Sequence, residues 1–382
     1  MRYRKLGKTG LMVSEIGFGG EWLERHEESE SVELMRYAGE KGINIIDCWM
    51  PDPKSRDIIG KAMKGNREKW IVQGHFGSTY QNGQYVRTRD LKYVVPAFED
   101  LLARMQTDYI DLGMIHYVDT QKDWEETCMR DSDFMHYVRQ MHEKGVIRHI
   151  GLSTHNPRIA KQAVLSGFVE MLLFSVNPAF DMRPATEDLD SMFEGYDKAD
   201  YSGIDEERAE LYRLCEEKEV GMTVMKGFFG GRLLDAGSSP FGVAFTANQC
   251  IHYALTRPGV SSILCGYDTK EQVDEALSYE TASDEDKDYA SVIAGAPLHS
   301  YTGQCTYCGH CRPCPVNIDI AMVNKFYDLA VSQPEVPQSV REHYKALDVT
   351  AAACISCRSC ESRCPFGVKV AERMEKTAQL LG

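Results

Sequence analysis

Eight cysteines between residues 305 and 364 are the part of this sequence whose type and spacing most directly specify chemistry. The first run reads CTYCGHCRPCP, with Cys305, Cys308, Cys311 and Cys314 followed by Pro315. The second reads CISCRSCESRCP, with Cys354, Cys357, Cys360 and Cys364 followed by Pro365. Three thiolates at successive three-residue steps wrap one face of a cubane iron–sulfur cluster, and the proline then turns the chain so that the fourth cysteine reaches elsewhere. The second run has the spacing C-x2-C-x2-C-x3-C-P, and the first is one residue shorter before its last cysteine. Four thiolates also suit zinc, whose ligands more often come as two C-x2-C pairs. The other five of the thirteen cysteines are scattered through the first 265 residues. Of these, Cys128, Cys215, Cys250 and Cys265 have no partner pattern and read as core, and Cys48 reads as a small apolar residue beside Asp47.

The two runs resemble those of two-cluster ferredoxins, in which the fourth cysteine of each run binds the other cluster. That resemblance assigns Cys305, Cys308, Cys311 and Cys364 to one 4Fe–4S cluster, and Cys354, Cys357, Cys360 and Cys314 to a second. The segment between the runs is long. Residues 317–331 carry Ile320, Val323, Phe326, Tyr327 and Ala330 at helical spacing, with Asn317 or Asp319 as cap, and a second helix is expected after Pro337. The module therefore reads as a mainly helical, ferredoxin-like domain suited to single-electron transfer.

The preceding 280 or so residues alternate short apolar runs with amphipathic stretches, the pattern of repeated βα units. Strands are expected at 13–19, 43–47, 70–74, 109–116, 147–153, 171–176, 221–226 and 260–266, with helices such as 30–41, 90–106 and 206–219 between them. Eight such units predict an α/β fold of the (β/α)8 TIM-barrel class, with its active site at the C-terminal ends of the strands. No G-x-G-x-x-G follows the first strand, which disfavours a doubly wound nucleotide-binding sheet. The expected organisation is a barrel over 1–285, a linker over 286–299 and the cluster domain over 300–382.

Composition narrows the setting. The chain has 382 residues, 43% hydrophobic and 26% charged, as in ordinary soluble domains. A formal net charge of −14 disfavours nucleic acid and anionic membrane as partners. No apolar run is long enough to span a bilayer, and the N-terminus lacks the apolar core of a signal peptide, so the expected location is cytoplasmic. Without secretion, thirteen cysteines point to metal before disulfides.

The motifs MRYRKLGKTGLMVSEIGFGG, GINIIDCWM…SRDIIGKAM, DYIDLGMIH, KGVIRHIGLSTH, VGMTVMKGFFGG and GVSSILCGYDTKEQVDEAL occur in that order. They resemble the aldo-keto reductase superfamily, in the branch with a C-terminal 4Fe–4S dicluster domain. The resemblance implies a tyrosine that acts as general acid on a carbonyl while a nicotinamide delivers hydride. An aspartate and a lysine tune that tyrosine, whose ordinary pKa is about 10, and a histidine orients the substrate. Asp47 falls at the aspartate position and His116 at the histidine position. The tyrosine position falls at Asp52 and the lysine position at His75. Asp52, if buried beside Asp47, could act as an acid; His75 could donate a proton; Tyr117 or Tyr80 could supply a displaced phenol. Lys226, ending the seventh strand, could point into the same mouth. His155 reads as a loop histidine, and Asp52 also as a turn residue.

For the cofactor, the resemblance places Gly227, Gly230 and Gly231 along a pyrophosphate, Gly266 and Gln272 at the adenosine phosphate, and Ser153 at the carboxamide. Asp268 stands where a basic residue would meet a 2′-phosphate, which fits NAD(H) better than NADP(H), although Lys270 could compensate in part. Trp22, Trp49, Phe76, Tyr117 and Phe228 are expected to line an apolar mouth. The leading expectation is an iron–sulfur oxidoreductase acting on a small carbonyl or related metabolite. It would have nicotinamide or cluster-mediated electron transfer, an electron-transfer protein as partner and room for a homo-oligomer. The alternatives are a non-redox lyase, epimerase or hydrolase built on Asp47, His75, His116 and Lys226 with structural or regulatory clusters, or an electron-transfer subunit with a vestigial barrel.

Overall fold

Eight short, β-rich apolar runs pair side by side in parallel and close on themselves. In the computed structural model, which describes residues 1–129, 131–196, 203–296, 301–331 and 335–382, they are β1 (Ile16–Gly19), β2 (Ile45–Cys48), β3 (Ile71–Phe76), β4 (Ile110–Ile115), β5 (Ile147–Thr154), β6 (Met171–Ser175), β7 (Gly221–Met225) and β8 (Val260–Gly266). They follow one another in chain order around a closed barrel, and β8 pairs with β1 through Ile263 opposite Ile16. All eight coincide with the strands expected from sequence to within a few residues. Parallel strands covered on both faces must be apolar throughout, and that makes them legible.

Side chains alternate across each strand and so fill two separate layers. Ile45, Ile71, Leu112, Met114, Met171, Leu173 and Leu264 fill the barrel interior, joined by Leu6 and Val13. The last two come from an N-terminal hairpin, Tyr3–Lys5 with Met12–Ser14, that closes the N-terminal end of the barrel. The opposite faces pack under an outer ring: α1 (Glu28–Glu40), α2 (Pro53–Met63), α3 (Leu91–Arg104), α4 (Asp133–Glu143), α5 (Pro157–Ser166), α6 (Glu206–Glu217), α7 (Ala247–Leu255) and α8 (Lys270–Leu277). Asp52, Asp90, Ser132, Asn156, Asp205, Thr246 and Thr269 each cap a helix by accepting a backbone N–H in its first turn. Each such cap stabilises its helix by about 1 kcal/mol.

Beyond the barrel, α9 (Tyr289–Gly295) buries Tyr289, Ala290 and Ile293, with the Tyr289 ring 5.1 Å from that of Tyr253 on α7. It occupies part of the stretch expected as a linker; residues 297–300, at the junction with the cluster domain, lie outside the described residues. The cysteine-bearing segment is held by α10 (Ile320–Val331), α11 (Gln338–Lys345) and α12 (Val370–Leu381). Of the two expected caps for α10, Asp319 performs the task, accepting from Met322 N at 3.2 Å. Asn317 instead adopts φ 58° in the turn before it. The module seats on the barrel through polar contacts, most of them buried. Tyr301 donates to the Pro178 carbonyl at 2.6 Å, Tyr289 donates to the Thr306 carbonyl at 2.6 Å, and Lys325 pairs with Glu216 at 2.5 Å.

Helices α2 and α3 touch at Gly60, where an added Cβ would lie 2.1 Å from the Arg104 carbonyl oxygen and 2.9 Å from Met105 Cα. Alanine is preferred over glycine in a helix by about 1 kcal/mol, whereas overpacking against backbone costs about 1–3 kcal/mol. Gly60→Ala is therefore expected to lower the thermal midpoint, as read by circular dichroism; a raised midpoint would show that helix propensity outweighs the clash.

Candidate functional site

Strand register sets the polar groups at the C-terminal mouth. Asp47 lies opposite Gln73 across β2 and β3, and His75 opposite Met114 across β3 and β4. Asp47, Gln73 and His75 face inward, and His116 follows β4 directly. Gln73 Nε2 and His75 Nε2 both lie 2.9 Å from Asp47 Oδ1. His75 Nδ1 meets His116 Nδ1 at 2.8 Å, and His116 Nε2 meets the Tyr85 hydroxyl at 2.8 Å. Donor accounting fixes the tautomers of the neutral pair. His75 gives its Nε2 proton to the carboxylate, so its Nδ1 must accept. His116 then donates from Nδ1, and its Nε2 accepts from the phenol. Burial, reinforced by His75 and then by Arg89 and Arg87, pushes the His116 pKa well below its ordinary value, which keeps the ring neutral.

Tyr85 is the residue that sequence reasoning missed. It sits on a second hairpin, Ser78–Gln81 with Gln84–Arg87, inserted between β3 and α3. Asn82 (φ 52°) and Gly83 (φ 78°) form its turn, and an Asn-Gly pair between tyrosines is the hairpin signal that could have located it. Its cross-strand partner Tyr80, expected as a displaced phenol, is instead 42% exposed. Tyr85 is 39% exposed, yet turns its hydroxyl inward against His116 and packs edge-on to Trp49 at 5.3 Å. Partial burial raises its pKa, so the phenol stays protonated near neutrality. Arg87 and Arg89 anchor the hairpin by donating to the carbonyls of Tyr117 (2.6 Å) and His116 (2.7 Å) while pairing with Asp123.

The other expected site residues divide by place. Asp52 caps α2, its Oδ1 accepting from Lys54 N at 2.8 Å and Ser55 N at 3.3 Å. Its carboxylate is thus taken up by the helix, as a Pro-flanked aspartate allows. Phe76 does not line the mouth. Next to inward-facing His75 it must point outward, and it stacks on Phe98 at 4.2 Å. Trp49 stacks over His116 at 5.8 Å, and Tyr117 (φ 50°) packs edge-on against His155 at 5.2 Å. Burial pushes the Tyr117 phenol up to about 12. Lys226 (φ 57°) is half-buried at the end of β7. Nearby Glu21, in the loop after β1, has its pKa raised by burial against the opposing pull of Lys226.

A second carboxylate–imidazole pair lies beyond Tyr117. Asp119 accepts from His155 Nδ1 at 2.8 Å, His155 N at 2.7 Å and Thr154 Oγ1 at 2.8 Å. Burial alone would raise the Asp119 pKa; the contacts with His155 overcome it and hold it below its ordinary value. Ser153 Oγ accepts from Tyr117 N at 2.8 Å. Gly227 is a packing glycine, since a Cβ there would strike Ile263 Cδ1 at 2.4 Å. Gly230 and Gly231 have open backbone, with nothing within 3.9 Å of a Cβ. A Cβ on Gly266 would meet Trp22 at 3.6 Å, Gln272 accepts from Asp268 N at 2.6 Å, and Asp268 pairs with His26 at 2.9 Å.

In the C-terminal module the cysteines wall two cavities. One is lined by Cys305, Cys308, Cys311 and Cys364, the other by Cys314, Cys354, Cys357 and Cys360. The two runs turn alike: Tyr307 (φ 59°) and Ser356 (φ 54°) lie between the first two cysteines of each, and Gly309 (φ 88°) and Arg358 (φ 57°) follow the second. Such left-handed turns aim successive N–H groups at sulfur. Ser356 N approaches Cys354 Sγ and Val368 N approaches Cys364 Sγ, each at 3.4 Å.

Residues 15–243 match the model of the aldo/keto reductase family. The chain belongs to that family. Residues 277–368 of this aldo-keto reductase match a 4Fe-4S dicluster domain, so the cysteine-rich module is an iron–sulfur domain. Curated relatives include the aldo-keto reductase YhdN of Bacillus subtilis, 32% identical over 162 residues that make up 40% of this chain and 47% of that protein. The uncharacterized oxidoreductase YqkF of the same species is 28% identical over 188 residues, 48% of this chain and 58% of its own length. The chain thus spans about half the length of these relatives. An aldo-keto reductase from Bacillus halodurans, solved in its holo form, superposes with a TM-score of 0.58 at 22% identity, covering 79% of this chain and 98% of that one. It shares the fold. Among the described residues no helix is long and apolar enough to cross a membrane.

The depressed His116 pKa has a consequence for stability. Below about pH 6.5 an unfolded chain protonates this imidazole while the folded chain does not, so stability falls as pH drops through that value. Thermal midpoints measured from about pH 8 down to about pH 5.5 should decline less steeply in His116→Gln; equal slopes would show that His116 carries no such linkage.

Proposed function

We propose that this protein is an oxidoreductase interconverting a small carbonyl compound and its alcohol, with Tyr85 exchanging the proton at the substrate oxygen. The observation that carries the proposal is the chain Asp47–His75–His116–Tyr85, which links a buried carboxylate to a phenol at the mouth. In the oxidising direction the substrate hydroxyl gives its proton to Tyr85 Oη as the phenol proton passes to His116 Nε2. The His116 Nδ1 proton moves to His75 Nδ1, and the His75 Nε2 proton moves to Asp47. The reducing direction runs the same transfers in reverse, ending with a proton on the carbonyl oxygen. His75 stands where the family resemblance places a lysine, and Tyr85 replaces a phenol whose usual position holds the cap Asp52. Tyr117 and Lys226 complete the mouth, and Trp49 shields the relay from water.

A bound nicotinamide would supply or accept the hydride. The open backbone at Gly230 and Gly231 suits a pyrophosphate. Ser153, whose oxygen already accepts from Tyr117 N, retains a hydroxyl proton for the carboxamide. Gly266 and Gln272 border the adenosine end, where the exposed Asp268 carboxylate favours NAD(H) over NADP(H).

The eight cysteines fit two 4Fe–4S clusters. Their thiolates surround cavities, and backbone N–H groups point at sulfur as they do for cluster thiolates. The cluster held by Cys314, Cys354, Cys357 and Cys360 is the outer one, beside exposed Cys357 and Ile355. It is the side from which a protein partner would exchange electrons. Each cluster moves one electron and a hydride carries two, so the clusters serve that partner rather than replace the nicotinamide.

A non-redox acid–base reaction is the second reading, and the Asp119–His155 pair favours it by placing another imidazole near the first. Two measurements separate them. NADH added to the anaerobic holoenzyme should give protein-to-nicotinamide fluorescence transfer, with NADPH weaker. Tyr85→Phe should lower kcat by about 10²–10⁴-fold with KM changed far less. Parental kcat in Tyr85→Phe would place the proton transfer elsewhere, and absence of a nicotinamide signal would leave the acid–base reading.

A further inference from the structure

A buried arginine of the barrel presses against the loop that carries Cys305 and Cys308. Arg257 lies between α7 and β8, is 2% exposed, and falls outside the stretches matched by both family models. Its Nη2 donates to the carbonyl of Thr306, the residue that follows Cys305, and to Tyr289 Oη and Thr256 Oγ1, each at 3.1 Å. Its Nε donates to the Tyr253 carbonyl at 3.3 Å. The guanidinium lies 4.5 Å from the Tyr253 ring centroid and 5.6 Å from that of Tyr307.

Every one of these acceptors is neutral. Among the described residues Arg257 forms no ion pair, and its Nη1 has no partner. Asp181, the buried carboxylate of this region, bonds to Arg208 at 3.4 Å and to the hydroxyls of Tyr212 and Tyr253, and acts on Arg257 only through space. Two buried guanidinium groups, Arg208 and Arg257, thus share one carboxylate, and a cation so incompletely compensated in the interior is disfavoured. The remaining negative charge has an evident source. Thr306 and Tyr307 also wall the cavity of Cys305, Cys308, Cys311 and Cys364, and Arg257 and Cys308 line one shared cleft of about 800 Å³. A 4Fe–4S core on four thiolates is an anion, and its potential follows the charges and hydrogen bonds around it.

We propose that Arg257 is the fixed, buried counter-charge of this inner cluster and holds its reduction potential above that of the outer cluster. One-electron reduction adds one negative charge without a proton, so a permanent cation beside the cluster stabilises the reduced form. Near the outer cluster Arg358 is exposed and therefore screened by solvent. Arg363, which lines the outer cavity, donates to the carbonyls of Cys311 and Pro313 on the first run and so stands between the two clusters. The asymmetry rests with Arg257, which leaves an added electron on the cluster next to the barrel. Arg257 is a positioning residue that acts through the cluster rather than on substrate.

The inference rests on the two-cluster reading above, and one experiment tests both separately. Iron and sulfide are quantified in the anaerobic full-length protein, in Arg257→Met and in Arg257→Lys. Each is then titrated potentiometrically with dithionite under EPR, with Cys357→Ser used to identify the outer cluster's signal. The expected result is iron and sulfide for two cubanes in all three proteins and a higher midpoint for the inner cluster in the parent. In Arg257→Met the inner cluster alone should fall by a tenfold change in its reduced-to-oxidised ratio, about 59 mV for a one-electron couple. Arg257→Lys, which keeps the charge, should recover most of that loss. An unmoved inner midpoint in Arg257→Met, or equal losses in both variants, overturns the counter-charge. Should Arg257→Met fail to fold, the parent decides: an inner midpoint at or below the outer one overturns it. Iron and sulfide for fewer than two cubanes in the parent sinks the cluster reading instead.

Discussion

Two imidazole nitrogens 2.8 Å apart, His75 Nδ1 and His116 Nδ1, impose the constraint on which the rest of the site depends. A hydrogen bond between them requires one ring to donate and the other to accept. Asp47, as an acceptor, decides which, and the decision propagates through both rings to the hydroxyl of Tyr85. Loss of any one link leaves a buried polar atom without its partner, which costs about 1–3 kcal/mol. The barrel supplies what such a chain needs. Asp47 and His75 stand on neighbouring strands whose register is fixed by the barrel's closure, and strand ends are rigid where loops are not.

The phenol arrives by a different route. Tyr85 stands on a hairpin that the repeating βα pattern does not require, held down by Arg87 and Arg89 on the backbone just after β4. The same two arginines add to the field that keeps His116 neutral. Anchoring the hairpin and setting the donor order of the relay are therefore one arrangement. Within the aldo/keto reductase family, this chain brings an aspartate, two histidines and a tyrosine together from β2, β3, the end of β4 and an inserted hairpin.

Much of this was legible in the sequence, for physical reasons. Parallel strands covered on both faces leave an unbroken apolar trace, and so all eight could be marked. Asp47 and His116 could be located at the mouth because they end such runs, while their roles came only from the family resemblance. His75 was legible from the same rule, but Phe76 beside it was placed on the wrong face because alternation was not carried to the strand's last residue. Asp52 was ambiguous between acid and cap until its two backbone donors were visible. Tyr85 was missed because a short, largely exposed hairpin has no buried run; only its Asn82-Gly83 turn announces it. The Asp119–His155 pair joins residues 36 apart in the chain, a proximity that no local pattern encodes.

The relay is defined by where its protons sit, and the most direct test observes them. Nitrogen-15 NMR of the histidine-labelled anaerobic protein near neutral pH reports which nitrogen of each ring carries hydrogen. The relay predicts His75 protonated at Nε2 and His116 protonated at Nδ1, with scalar coupling across the Nδ1–Nδ1 contact. His116 protonated at Nε2 in the resting protein, or both rings cationic, would contradict it.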